Sequence, residues 1–194
     1  MSLIISELRK RFKDKVVFDG FSYSFDDTGV YALTGESGVG KTTLLRMIAG
    51  LDNEYSGKII GGGIGKSSFG FQEHRLFPTL SALDNVILAN SDYVTDSCAK
   101  KAKNILFSLG ISEEDMHLLP YELSGGMRAR VSLARAFMKD CPILLLDEPS
   151  KELDPINKEK VLDLIAKESR RRLVIMVTHS VSDAEFCNAK IIKL

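Results

Sequence analysis

The stretch "VYALTGESGVGKTTLLRMIAGL" constrains this chain more than any other part of its sequence. A compact apolar run enters a glycine-rich loop, and a helix leaves it with Leu44, Leu45, Ile48 and Leu51 on one face. The loop fits Gly-x-x-x-x-Gly-Lys-[Ser/Thr], a phosphate-binding pattern, in the strand–loop–helix context that the pattern requires. Gly35, Gly38 and Gly40 let the backbone fold tightly enough for successive N–H groups to surround a phosphate. Lys41 is expected to neutralise the β and γ phosphates, and the Thr42 hydroxyl to ligate Mg²⁺. The expected nucleotide contacts are therefore Gly35, Glu36, Ser37, Gly38, Val39, Gly40, Lys41, Thr42 and Thr43.

Such a loop needs a sheet behind it. "CPILLLDEPS" and "LVIMVTH" carry runs suited to strands buried on both faces of a parallel sheet, and "KIIKL" closes the chain. Ahead of the loop, "LIISEL", "KVVFDGF" and "FSYSF" read as three short antiparallel strands with one buried face. The glycine cluster at 61–65 reads as a plain surface turn between strands. Residues 80–138 turn helical, with "SALDNVILAN", then "SCAKKAKNILFSLG" stopped by Gly110, then a helix with apolar Met127, Val131, Ala134 and Met138. Asp154 and Pro155 start a further helix running through Ile165. The outline is a mostly parallel α/β core, an N-terminal antiparallel β layer and a helical insert.

Two acids end the strand "ILLLDE". Asp147 is placed to hold a metal's water shell near the phosphates, and Glu148 to polarise an attacking water as general base. In isolation they would read as a solvated turn; beside a phosphate loop they read as chemistry. Gln72 lies 31 residues after Lys41, and His179 lies 31 after Glu148, each at the end of an apparent strand of the same sheet. Both are unremarkable singly, but one sheet edge would bring them to the metal, the water and the γ-phosphate.

Bulk properties exclude more than they select. Twenty-six Lys plus Arg balance 26 Asp plus Glu, so no basic field argues for nucleic acid. Cys98, Cys141 and Cys187 are odd in number and widely spaced, as expected of reduced structural thiols. The N-terminus shows no signal-peptide pattern and no apolar run is long enough to span a bilayer, so any membrane role needs another chain.

"LSGGM", at 123–127, opens the Met127 helix with a serine and two glycines, which is itself the look of an anion site. One chain would then hold two phosphate sites. Here the sequence resembles the nucleotide-binding subunits of ATP-binding cassette (ABC) transporters, along essentially its whole length. "GESGVGKTTLL", "FGFQEHRLFPTLSALDNV", "LSGGMRARVSLARA", "ILLLDEP", "ELD" and "VTH" occur in that family's order and at its usual distances. The resemblance implies an ABC ATPase fold: a P-loop NTPase core with a mostly parallel sheet, an N-terminal antiparallel β layer and an inserted α-helical subdomain. It implies one domain over 1–194, with a core lobe of 1–79 and 139–194 and a helical insert of 80–138.

It further implies ATP and Mg²⁺ as ligands and an Mg-dependent ATPase that drives a transporter. Phe12, 29 residues before Lys41, would stack on adenine. Thr42, Gln72 and Asp147 would serve the metal, Glu148 would be the catalytic base and His179 the γ-phosphate switch, with Gln72 also coupling to the transporter. The family pairs head to tail, so Ser124, Gly125 and Gly126, with Asp154 nearby, would serve the ATP of a second, identical subunit. The implied partners are that subunit, transmembrane permease subunits and, in an importer, a substrate-binding protein; no nucleic acid is expected. The implied location is the inner face of the cell membrane. The glutamine-loop and signature segments look most like prokaryotic importer subunits.

Three residues depart from the pattern. Met127 stands where the family usually has glutamine, and Lys151 and Glu152 bring bulk and charge to a segment that usually has small residues. The chain ends soon after "VTH", so no C-terminal regulatory domain is expected. Two alternatives are weighed: a small P-loop kinase, which has no use for "LSGG" ahead of "LLLDEP", and an ABC-type ATPase of DNA repair, chromosomes or translation, which inserts coiled coils or duplicates the cassette.

Overall fold

The computed structural model describes residues 2–13, 15–90, 95–151 and 153–194, so Glu152 lies outside the described residues. In chain order the elements are β1 (Ile4–Phe12), β2 (Lys15–Ser24), β3 (Gly29–Thr34), α1 (Lys41–Ile48), β4 (Ser56–Ile60), β5 (Ser67–Gly70), α2 (Ala82–Ile87), α3 (Asp96–Ser108), α4 (Gly125–Met138), β6 (Ile143–Asp147), α5 (Pro155–Glu168), β7 (Leu173–Val177), α6 (Val181–Phe186) and β8 (Lys190–Lys193). They build two sheets. An antiparallel one is ordered β2-β1-β4, and a wholly parallel one is ordered β5-β6-β7-β3-β8. "KVVFDGF" and "FSYSF" belong largely to one strand, β2, rather than two. Gly20, at φ 85°, is the bulge residue between the pairs Leu8–Phe21 and Arg9–Asp19.

Alternation along the buried strands divides the core. Ile143, Leu145, Leu173, Ile175 and Val177 face α1 and the antiparallel layer, where Leu44, Leu45, Ile48, Leu3, Ile5 and Phe18 are buried. Leu144, Leu146, Val174 and Met176 face the helices on the other side, against Val131, Ala134, Phe137, Val161 and Ile165. Each fully buried aliphatic side chain contributes about 1.5–3 kcal/mol, so these two faces clamp the parallel sheet. Leu51 departs from the expected helix face: it lies beyond the end of α1 and is 47% exposed. The glycines at 61–65 differ too. A Cβ on Gly61 would come 2.5 Å from the Ser2 carbonyl oxygen and one on Gly62 2.6 Å from that of Ile48, so part of this turn is packed against other backbone.

Helix α4 is capped at both ends. Ser124 caps its start, its Oγ accepting from the Met127 N–H at 3.2 Å. At its end, Ser68 Oγ donates to the Ala136 carbonyl, Arg172 to those of Phe137 and Lys139, and Lys101 to that of Met138. Side chains from three separate segments thus satisfy the carbonyls that a helix end leaves without partners. Arg172 is buried, with Glu168 at 2.7 Å. No disulfide joins the three cysteines, and burial pushes the Cys187 thiol up to about 12, which suits a structural role.

Candidate functional site

Parallel strands end on one edge of a sheet, and here β3, β5, β6 and β7 deliver the loop, Gln72, the two acids and His179 to the same edge. A cleft of about 260 Å³ there is lined by Phe12, Lys41, Thr42, Gln72, Glu148 and His179, among others. The loop reaches its shape through Gly35, Gly38 and Gly40, all at positive φ, and a Cβ on Gly40 would come 2.4 Å from Val17 Cγ1. Lys41 lies along the loop, donating to the carbonyls of Gly35 (2.9 Å) and Glu36 (2.8 Å). Three residues not singled out from sequence join the cleft, Lys15, Val17 and Val177. Lys15 pairs with Phe12 in the β1–β2 register and donates to the Gly38 carbonyl at 2.8 Å, so the hairpin register was the signal that would have found it.

The acids sit differently. Asp147 is 4% exposed; burial pushes its pKa up and the Glu148 charge adds to this, while the hydrogen bond from Thr42 Oγ1, at 2.8 Å, opposes them. Its Oδ1 is buried with no protein donor. A buried carboxylate oxygen without a partner beside a phosphate-loop threonine is a donor set that fits a hard divalent cation. Glu148 takes φ 53°, a left-handed conformation that costs a non-glycine residue about 1–3 kcal/mol. Its Oε1 is 3.3 Å from His179 Nε2 and its Oε2 is 2.8 Å from Lys151 Nζ. The Lys151 departure therefore reaches the Glu148 carboxylate itself.

Ser124, Gly125, Gly126 and Asp154 do not line this cleft. A Cβ on Gly125 would meet nothing within 4 Å, so nothing within the described residues calls for glycine there. Asp154 caps α5, its Oδ1 accepting from the Asn157 N–H at 3.1 Å. The Met127 side chain packs against the helical core.

Comparison with known proteins agrees with this geometry. The ABC transporter family model matches residues 18–151. An aliphatic sulfonates import ATP-binding protein of Corynebacterium glutamicum is 39% identical over 181 residues, covering 91% of this chain and 73% of that relative. Its namesake in Bacillus cereus is 33% identical over 207 residues, covering 99% and 80%. Among solved structures, the dimeric structure of MJ0796, a bacterial ABC transporter cassette, superposes with TM-score 0.87 at 28% identity, covering 99% of this chain and 94% of that one. A post-hydrolysis state of the same cassette, bound to ADP and Pi, gives TM-score 0.85 at 27% identity, with the same coverage.

Proposed function

The chain belongs to the ABC transporter family as one of its ATP-binding, ATP-hydrolysing subunits, and from that premise we propose how its residues divide the work. The carrying observation is the single cleft that gathers Lys41, Thr42, Gln72, Glu148 and His179. Phe12, 47% exposed at its mouth, stacks on adenine. The amides of residues 35–43 and the Lys41 ammonium, now resting on loop carbonyls, take the β and γ phosphates. Thr42, Asp147 and Gln72 would hold Mg²⁺, which would supply positive charge against that of the phosphates. Glu148 accepts a proton from the attacking water, and His179, beside it, orients the γ-phosphate.

Ser124, Gly125 and Gly126 serve the ATP of a second copy, together with Asp154. Their absence from the chain's own cleft and the open space beside Gly125 support this, and the matched cassette is dimeric by its title. Core lobe 1–79 with 139–194 and insert 80–138 are the units that move. A groove of about 610 Å³ between the segment after β5 and α4, with Phe69, Phe71 and Phe77 beside Arg75, Arg135 and Lys139, receives a permease loop. No helix of the described residues is long and apolar enough to cross a membrane, so the permease supplies the span and holds this chain at the inner face. A substrate-binding protein delivers cargo of the aliphatic sulfonate class named for the relatives. Deleting the chain should abolish growth on an alkanesulfonate as sole sulfur source but not on sulfate; growth on both would sink the cargo assignment.

The base is tested by Glu148→Gln. Turnover should fall by about 10²–10⁴-fold with ATP binding retained and a dimer trapped. Unchanged turnover would overturn the assignment.

A further inference from the structure

Asp183, on α6, does not line the cleft that holds Lys41 but an adjoining pocket shared with Glu148 and His179, and it gathers the turns that present them. The residue is 1% exposed, deeper than either acid of the site. Its Oδ2 accepts from Ser150 Oγ at 2.5 Å, in the turn after Glu148. Its Oδ1 accepts from Ser180 Oγ at 2.7 Å, next to His179, and pairs with Lys158 Nζ of α5 at 2.5 Å. The Asp183 N–H closes a local box by donating back to Ser180 Oγ at 3.3 Å. One carboxylate therefore ties the segment after β6, the segment after β7 and the first turns of α5.

What needs this tie is Glu148. Its left-handed backbone persists only where the surroundings over-determine it. Two backbone bonds contribute, Glu148 N–H to the Val177 carbonyl at 3.1 Å and Lys151 N–H to the Glu148 carbonyl at 3.2 Å. The turn they define is short, and the Ser150 side chain bonds it to a buried group, Asp183. Ser180 is likewise fixed at both ends, its N–H donating to Thr178 Oγ1 at 3.0 Å and its Oγ donating to Asp183. The 3.3 Å approach of His179 Nε2 to Glu148 Oε1 spans these two turns, and Asp183 is bonded to both.

We propose that Asp183 is a positioning residue for hydrolysis, one that sets the Glu148 carboxylate and the His179 imidazole in register by bonding Ser150 and Ser180 while Lys158 balances its charge. It acts through those two residues and contacts no nucleotide. The inference rests on Glu148 and His179 being the hydrolytic pair.

The test is steady-state ATPase kinetics on the full chain, with fluorescent-ATP binding measured alongside and Glu148→Gln as the control. Asp183→Ala is expected to lower kcat by roughly 10-fold or more with KM and nucleotide affinity within about threefold. Asp183→Glu should recover part of the loss, since a carboxylate alone can serve all three partners. Ser150→Ala, which leaves the buried charge and its Lys158 partner in place, should lower kcat about three- to fivefold, and adding it to Asp183→Ala should change little. Wild-type kcat in Asp183→Ala or Ser150→Ala would overturn the proposal, as would a loss of kcat matched by an equal loss of ATP affinity. If wild type turns ATP over as fast as Glu148→Gln, it is the assignment of the base that fails; if that control is dead while Asp183→Ala is normal, only the positioning role fails.

Discussion

Gly40 and Gly125 both stand at helix starts, but the chain's own packing holds only Gly40 to glycine. Gly40 sits at φ 119° with its would-be Cβ 2.4 Å from Val17, whereas Gly125 begins α4 with open space around it. Gly40→Ala should cost the isolated chain about 1–3 kcal/mol in denaturant unfolding and weaken ATP binding. Gly125→Ala should instead leave the fold unharmed or firmer by up to about 1 kcal/mol, because alanine favours a helix, while weakening ATP-driven pairing. Equal destabilisation of the two would sink the distinction. Asp183 adds a pH dependence. Burial opposes its ionisation, but hydrogen bonds from Lys158, Ser150 and Ser180 and the Lys158 charge hold its pKa below the ordinary carboxylate value. A carboxylate with a lowered folded-state pKa stabilises the fold above its unfolded value, about 3.9, and loses that contribution as pH falls through the folded one. Urea unfolding of wild type and Asp183→Asn should thus differ at pH 7, with the gap narrowing below about pH 4; a constant gap would refute the linkage. The phosphate loop was legible from sequence because its chemistry repeats at fixed short spacing. Asp183 was not, because Ser150 and Lys158 lie far from it along the chain.

At the scale of elements, buried runs and capping residues read well. β6 and β7 fall where their apolar runs stood, and Asp154 caps α5 ahead of Pro155. What failed was contextual: a bulge at Gly20 joins two runs into one strand, and α6 is too short for a periodic signal. The capped end of α4 also escaped the sequence, since Ser68, Lys101 and Arg172 come from elsewhere in the chain. Arg172→Met should remove two of those caps and the buried partner of Glu168, lowering stability by about 3–5 kcal/mol by urea unfolding. A cost under about 1 kcal/mol would show that the ion pair is idle.

For the whole molecule, the proposed head-to-tail pairing makes a prediction that no single chain can satisfy. Lys41→Ala and Ser124→Ala each damage both sites of a symmetric dimer. Mixed, they form heterodimers in which one site carries both lesions and the other neither. ATP-dependent pairing should therefore return in the mixture, to about one nucleotide per heterodimer, as read by size-exclusion chromatography with bound-nucleotide assay. Failure of the mixture to recover would mean that the two residues act within one chain. The same geometry gives the anchored end of α4 a mechanical meaning. A 14-residue helix is about 21 Å long, so with its far end as fulcrum each degree of swing carries Ser124 roughly 0.4 Å. On the proposed pairing, a tilt of about 5° would be enough to make or break a hydrogen bond to a phosphate oxygen, with α4 as the lever.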